Sequence, residues 1–114
     1  IAVLVSMVRP IPLKMLIHSV VYEEYDGQGR NGDRFKPPVE LKNVLVQPIS
    51  GVSQQGVSEE KTFNSLLFFD VVHSLPSVNF KPKSRVTFNS ETMIVGRVNP
   101  IYAFTLHHYE VELI

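Results

Sequence analysis

Apolar residues along the chain come in short blocks separated by turn chemistry, and no segment keeps a helical period. A first strand is predicted over Lys14 to Tyr25, rich in Ile, Val and Tyr. Asp26 to Pro38 reads as a loop, with three glycines and a Pro-Pro stop. A second strand covers Val39 to Ile49, and Ser50 to Glu60 is a second polar loop rich in Ser, Gln and Gly. A third strand follows over Lys61 to His73, and Ser74 to Lys83, with two prolines, connects onward. Arg85 to Phe88 and Thr92 to Val98 read as a hairpin joined by Asn89-Ser90-Glu91. Asn99-Pro100 is expected to turn the chain into a last strand, Ala103 to Leu113. The pattern predicts an all-β fold: an antiparallel β-barrel of about six strands with long loops. Closure is attractive because it removes exposed strand edges.

Side chains alternate across a strand. In the third strand Phe63, Leu67, Phe69 and Val71 fall on one face, and Leu66, Phe68 and Val72 on the other. In the first strand Met15, Ile17 and Val21 oppose Leu16, Val20 and Tyr22. A barrel this small has one inside, so a second apolar face needs a cover. Leu66, Phe68 and Val72 are therefore candidates for a subunit interface, with an internal loop cover as the plainer account.

The chain has 114 residues, one domain's worth. A chain this short buries roughly two-thirds of its unfolded surface, so a partner would add much to its own core. With no cysteine, disulfides, thiolate metal sites and thiol catalysis are excluded. Lys+Arg 11 against Asp+Glu 11 gives no net charge, so the basic excess of a protein that grips nucleic acid is missing. The apolar stretch Ile1 to Ser6 is far below the about 20 residues needed to span a membrane, and a membrane partner is not expected. Residues 1–13 read as an N-terminal arm and 14–114 as a single barrel domain. Met7 is a candidate start; the alternative is an apolar arm that docks on a neighbour.

Several motifs invite chemistry. Gly27, Gly29 and Gly32 match a dinucleotide fingerprint in spacing, but Asp33 to Pro38 has no apolar helical face and ends in two prolines. Asp26, Gln28 and Asp33 resemble a calcium loop faintly, with Pro37 where the bidentate Glu belongs. His107 and His108 are adjacent on a strand, so they should point to opposite faces and cannot pair without a bulge. His18 and His73 lie on other strands, and no metal-ligand spacing links the four. Asp70, His73 and Ser74 hold the ingredients of a triad without a nucleophile elbow. No catalytic, cofactor or metal residue is assigned, and the chain is not expected to be an enzyme. Lys81, Lys83 and Arg85 form a candidate basic rim for phosphate or an acidic partner; a solvated face is the simpler reading.

The order and wording of the strands resemble a known family. The matching stretches are Leu16-Ile17-His18-Ser19-Val20 with Tyr22-Glu23, then Asn64-Ser65-Leu66-Leu67-Phe68-Phe69-Asp70 with Ser74 and Pro76. Lys83-Ser84-Arg85-Val86-Thr87-Phe88-Asn89 then runs into Ile94-Val95, and His107-His108-Tyr109-Glu110-Val111-Glu112-Leu113 closes the chain. In these features the chain is similar to the minor capsid proteins of tailed bacteriophages, and among them to head-completion, or stopper, proteins of the neck.

The resemblance implies a ring of barrel subunits, expected to be a dodecamer, in the virion neck and assembled in the host cytoplasm. Portal and adaptor proteins would lie above it and a tail terminator or tail-completion protein below. The ring would close the DNA channel after packaging, without sequence specificity, and dock the tail. In such stoppers the loop between the second and third strands reaches towards the channel. Here the gating residues would be Ser50, Gly51, Gln54, Gln55, Gly56, Ser58, Glu59 and Glu60. Another neck role, as adaptor or tail terminator, is an alternative. From a different class, so is an oligonucleotide-binding barrel.

Overall fold

The computed structural model describes residues 8–54 and 60–114; the side chains of residues 49–54 and 60–63 lie outside that description. Eight strands follow a 3₁₀ turn at Leu13–Met15. They are β1 (His18–Glu23), β2 (Tyr25–Gly29), β3 (Gly32–Phe35), β4 (Val39–Gln54), β5 (Glu60–Asp70), β6 (Arg85–Phe88), β7 (Glu91–Ala103) and β8 (Thr105–Leu113). Six of them close an antiparallel barrel in the order β1, β4, β5, β8, β7, β6. The expected all-β barrel of six strands is what forms, and β2 and β3 add a separate two-stranded hairpin.

The alternation seen in the sequence fills the barrel. Leu16, Val20 and Tyr22 point inward, as do Leu67 and Phe69 of β5 and Val111 and Leu113 of β8. Val86, Met93 and Val95 complete the wall opposite. Each such side chain, fully buried, contributes about 1.5–3 kcal/mol. In β4 the inward residues are Leu41, Val44 and Val46, so the alternation slips once. The slip is a bulge: His18 pairs with Val44 and Ser19 with Lys42, leaving Asn43 extra at φ 58. Asparagine tolerates this left-handed backbone better than other non-glycine residues. Phe80, from the connection between β5 and β6, plugs the end of the barrel where β1 and β5 finish. Its ring lies 5.1 Å from Tyr22, 5.2 Å from Phe69 and 5.5 Å from Tyr109, centroid to centroid.

Three expected loops or turns contain paired strand. Asp26 to Pro38 contains the β2–β3 hairpin, where Gly27 and Gly32 take positive φ. Ser50 to Glu60 does not form a loop throughout, because β4 and β5 stay paired from Gly51 with Phe63 to Gln54 with Glu60. Asn99-Pro100 does not turn the chain: Pro100 pairs with Tyr109, β7 runs to Ala103, and the turn falls at Phe104 with φ 66. A proline cannot donate to a strand ladder. The register shifts near both strand prolines, between Pro48 and Gly51 and between Ile101 and Tyr102. The expected β6–β7 hairpin forms across Asn89 and Ser90, both with positive φ, the signature of a tight two-residue turn.

Candidate functional site

The paired ends of β4 and β5, residues 49–54 and 60–64, extend past the barrel. β1 accompanies β4 only between Val39 and Val44, and β8 accompanies β5 only between Ser65 and Asp70. Among the described residues the two strands pair only with each other beyond Pro48 and Ser65. The ribbon from Pro48 to Gln54 is about 20 Å long at roughly 3.3 Å per residue. Ser50, Gly51, Gln54 and Glu60 lie on its paired strands, whereas Gln55, Gly56, Ser58 and Glu59 lie outside the described residues.

The outer wall of β5 carries Leu66 and Phe68, both half-buried, as the alternation required. Val72 does not join them, because β5 ends at Asp70 and Val72 sits in the following turn, 61% exposed. Phe68 helps to line a groove of about 330 Å³ with Ile11, Met15, Leu45, Gln47, His108 and Glu110. Val72 instead borders a cavity of about 190 Å³ with Val8, Pro10, Val71, Leu106 and His107. Residues from the N-terminal segment line both, so that segment runs as a strap over the outer face of β5 and β8.

Asp70 anchors the strap. Its side chain is fully buried, and Oδ1 accepts the Ile11 N–H at 3.1 Å. Oδ2 accepts the N–H groups of Val72 at 3.0 Å and His73 at 2.9 Å, closing the turn after β5. Ser74 Oγ accepts the Asp70 N–H at 2.9 Å and donates to the Asn43 carbonyl. The residues with triad composition therefore hold backbone in place.

The histidines are arranged differently from expectation. Ile101 pairs with His108 and Tyr102 with Leu106, so His107 is an extra residue in β8. This bulge brings adjacent rings together, with His107 Nδ1 2.8 Å from His108 Nδ1. His107 Nε2 reaches the Arg9 carbonyl at 2.6 Å, and His108 Nε2 reaches Glu110 at 2.9 Å. His18 is elsewhere, its Nδ1 accepting the Val46 N–H at 3.0 Å.

The three basic residues lie beside the β2–β3 hairpin. Lys81 pairs with Glu24 at 3.3 Å, and Arg85 pairs with Glu23 at 3.0 Å. The Arg85 guanidinium also stacks 3.8 Å from the Phe35 ring centroid, and Lys83 lies 5.6 Å from that of Tyr25. Lys36, at 2.9 Å, and Lys81 hold the Glu24 carboxyl below its ordinary range, with the Lys36 contact the larger cause. Beneath them Tyr22 Oη donates to the Asn79 carbonyl at 2.8 Å and accepts the Lys81 N–H at 3.0 Å. Burial pushes its phenol above the ordinary tyrosine value.

The described residues thus form a closed barrel with a β4–β5 ribbon and an N-terminal strap over its outer wall. The family described as minor capsid protein matches residues 12–113, and the chain belongs to that family. Its role is accordingly structural, as a virion component, in agreement with the phage resemblance of its strands. No curated protein and no solved structure matches the chain.

Proposed function

We propose that this minor capsid protein is a head-completion, or stopper, subunit. Copies assemble into a ring, twelvefold in this reading, beneath the portal and adaptor. The ring closes the DNA channel after packaging and presents a docking surface to the tail terminator or tail-completion protein.

The observation that carries this reading is the β4–β5 ribbon. Its two strands extend past the last barrel pairing, Pro48 with Ser65, without a third strand on either side among the described residues. A barrel can pack in a ring wall while such a ribbon reaches inward over a channel. The balance of 11 basic and 11 acidic residues suits a passage that DNA must leave again. Lys81 and Arg85 each face a glutamate, which leaves those two cations compensated. Leu66 and Phe68 on the outer wall suit contact between neighbouring subunits.

Electron microscopy of a lysate from a phage or prophage with this gene disrupted tests the proposal. DNA-leaking heads beside separate, full-length tails are expected. Intact, tailed, infectious particles would overturn it. Nanomolar binding of the purified protein to single-stranded DNA at low salt would then favour an oligonucleotide-binding barrel.

A further inference from the structure

The hydrogen-bond chain on β8 sets a condition on its protons. A carbonyl and a carboxylate can only accept, so the contacts to Arg9 and Glu110 place a hydrogen on Nε2 of both His107 and His108. The remaining contact, Nδ1 to Nδ1 at 2.8 Å, needs one hydrogen between the two nitrogens. Three hydrogens on two rings are one more than two neutral imidazoles hold. All three contacts are satisfied together only when the pair holds one extra proton, beside Glu110 Oε2 at 2.9 Å. Remove that proton, and two lone pairs face each other. Add a second, and two N–H groups collide. Only the singly charged pair makes all three bonds.

We propose that the Arg9–His107–His108–Glu110 chain is a one-proton clasp that holds the N-terminal strap over the outer wall and releases it when the shared proton is lost or joined by another. Among the described residues the strap is fastened at the Arg9 carbonyl, held by His107, and at the Ile11 N–H. Its release takes Ile11 and Met15 away from Phe68 and Leu45, with which they line the groove. The clasp thus couples pH to exposure of an apolar surface, independently of the position of this protein in the virion.

The surrounding ionisable groups leave this role to the pair. On the strap, Arg9 takes part through its carbonyl. On β5, Asp70 is occupied by three backbone N–H groups, and the turn beyond contributes His73, whose N–H is one of them. On β8, Glu110 is a member of the chain and Glu112 accepts from Asn99. On β7, the strand opposite, Tyr102 is the titratable neighbour of the bulge, and its side chain is 67% exposed.

The test is NMR of the full chain with ¹⁵N-labelled histidine, from about pH 5 to about pH 8. Amide-exchange protection is followed at Ile11. Within one pH window both Nε2 atoms should be protonated while a single proton is shared between the Nδ1 atoms. Protection at Ile11 should peak there and fall about tenfold on either side, as local opening becomes easier. In His107→Gln the side-chain amide can still donate to the Arg9 carbonyl but does not titrate, so protection at Ile11 should become flat with pH. Two rings that titrate separately with no shared proton would overturn the clasp. So would an Ile11 profile that is the same in His107→Gln and in the unaltered chain.

Discussion

Ile11 and Asp70 lie 59 positions apart, and the Ile11 N–H donates to Asp70 Oδ1 at 3.1 Å. The same carboxylate accepts from Val72 and His73, so one buried side chain ties the strap, the end of β5 and the following turn together. Removing it in Asp70→Ala orphans three backbone donors. Hydrogen bonds to a charged group contribute about 1.5–3 kcal/mol each, and the losses here are not additive. Asp70→Ala is expected to cost about 3–4 kcal/mol in urea unfolding. Asp70→Asn keeps one acceptor oxygen and should cost less. Equal stability of Asp70→Ala and the unaltered chain would remove Asp70 from this role.

Tyr22 links pH to stability at the alkaline end. Burial is the main cause of its raised value, so the phenol ionises later in the folded than in the unfolded chain, whose ordinary value is 10.0. As pH rises above about 10 the unfolded chain loses this proton first, and stability falls until the folded value is passed. Tyr22→Phe should remove that part of the alkaline slope. It should also cost about 1–3 kcal/mol at neutral pH, because the Asn79 carbonyl and the Lys81 N–H lose their partner. Urea midpoints measured at neutral pH and above pH 10 check both effects.

Glu24 does the reverse at the acid end. Lys36 and Lys81 hold its value below 4.5, with Lys36 the larger cause. The unfolded chain therefore binds this proton at a higher pH than the folded one. The stabilisation is complete above the unfolded value and is lost as pH falls through the folded one. Glu24→Gln should flatten the loss of thermal stability below about pH 4.5, and added salt should mimic it in part. An acid limb identical in both proteins would leave the Glu24 cluster without a part in acid stability.

The barrel wall was legible because alternation reports which side of a strand is wet, as in Leu16, Val20 and Tyr22 against Met15, Ile17 and Val21. The β2–β3 hairpin was not, because Tyr25-Asp26-Gly27-Gln28-Gly29 carries no alternating apolar face. Its support comes from afar, through Arg85 on Phe35 and through Glu24 with Lys36 and Lys81. The ribbon was hidden for a related reason: its strands have no barrel neighbour to demand an apolar face. Bulges were invisible too. Asn43 and His107 each shift the register by one residue, which turns opposite-facing neighbours into the Leu41–Val44 wall and the His107–His108 pair. A strand carried to His73, three residues past Asp70, puts Val72 on the face of Phe68, whereas the Asp70 carboxylate ends the strand by capping the turn.

The ribbon offers the sharpest separation of fold from function. Val52 pairs with Thr62, so residues 53–61 can be replaced by Asn-Gly, which supplies the backbone of a tight hairpin turn. The barrel should keep its melting temperature to within about 3 °C, since no described residue of the removed stretch pairs with a barrel strand other than β4 or β5, and surface changes away from the core shift stability by about 0.5 kcal/mol or less. A phage carrying the shortened protein should still build heads and tails, and its heads should lose DNA after packaging. If such heads stay full and join tails normally, the ribbon does not close a channel. If the shortened barrel also melts far below the unaltered one, the ribbon belongs to the fold and its length has to be explained by stability instead.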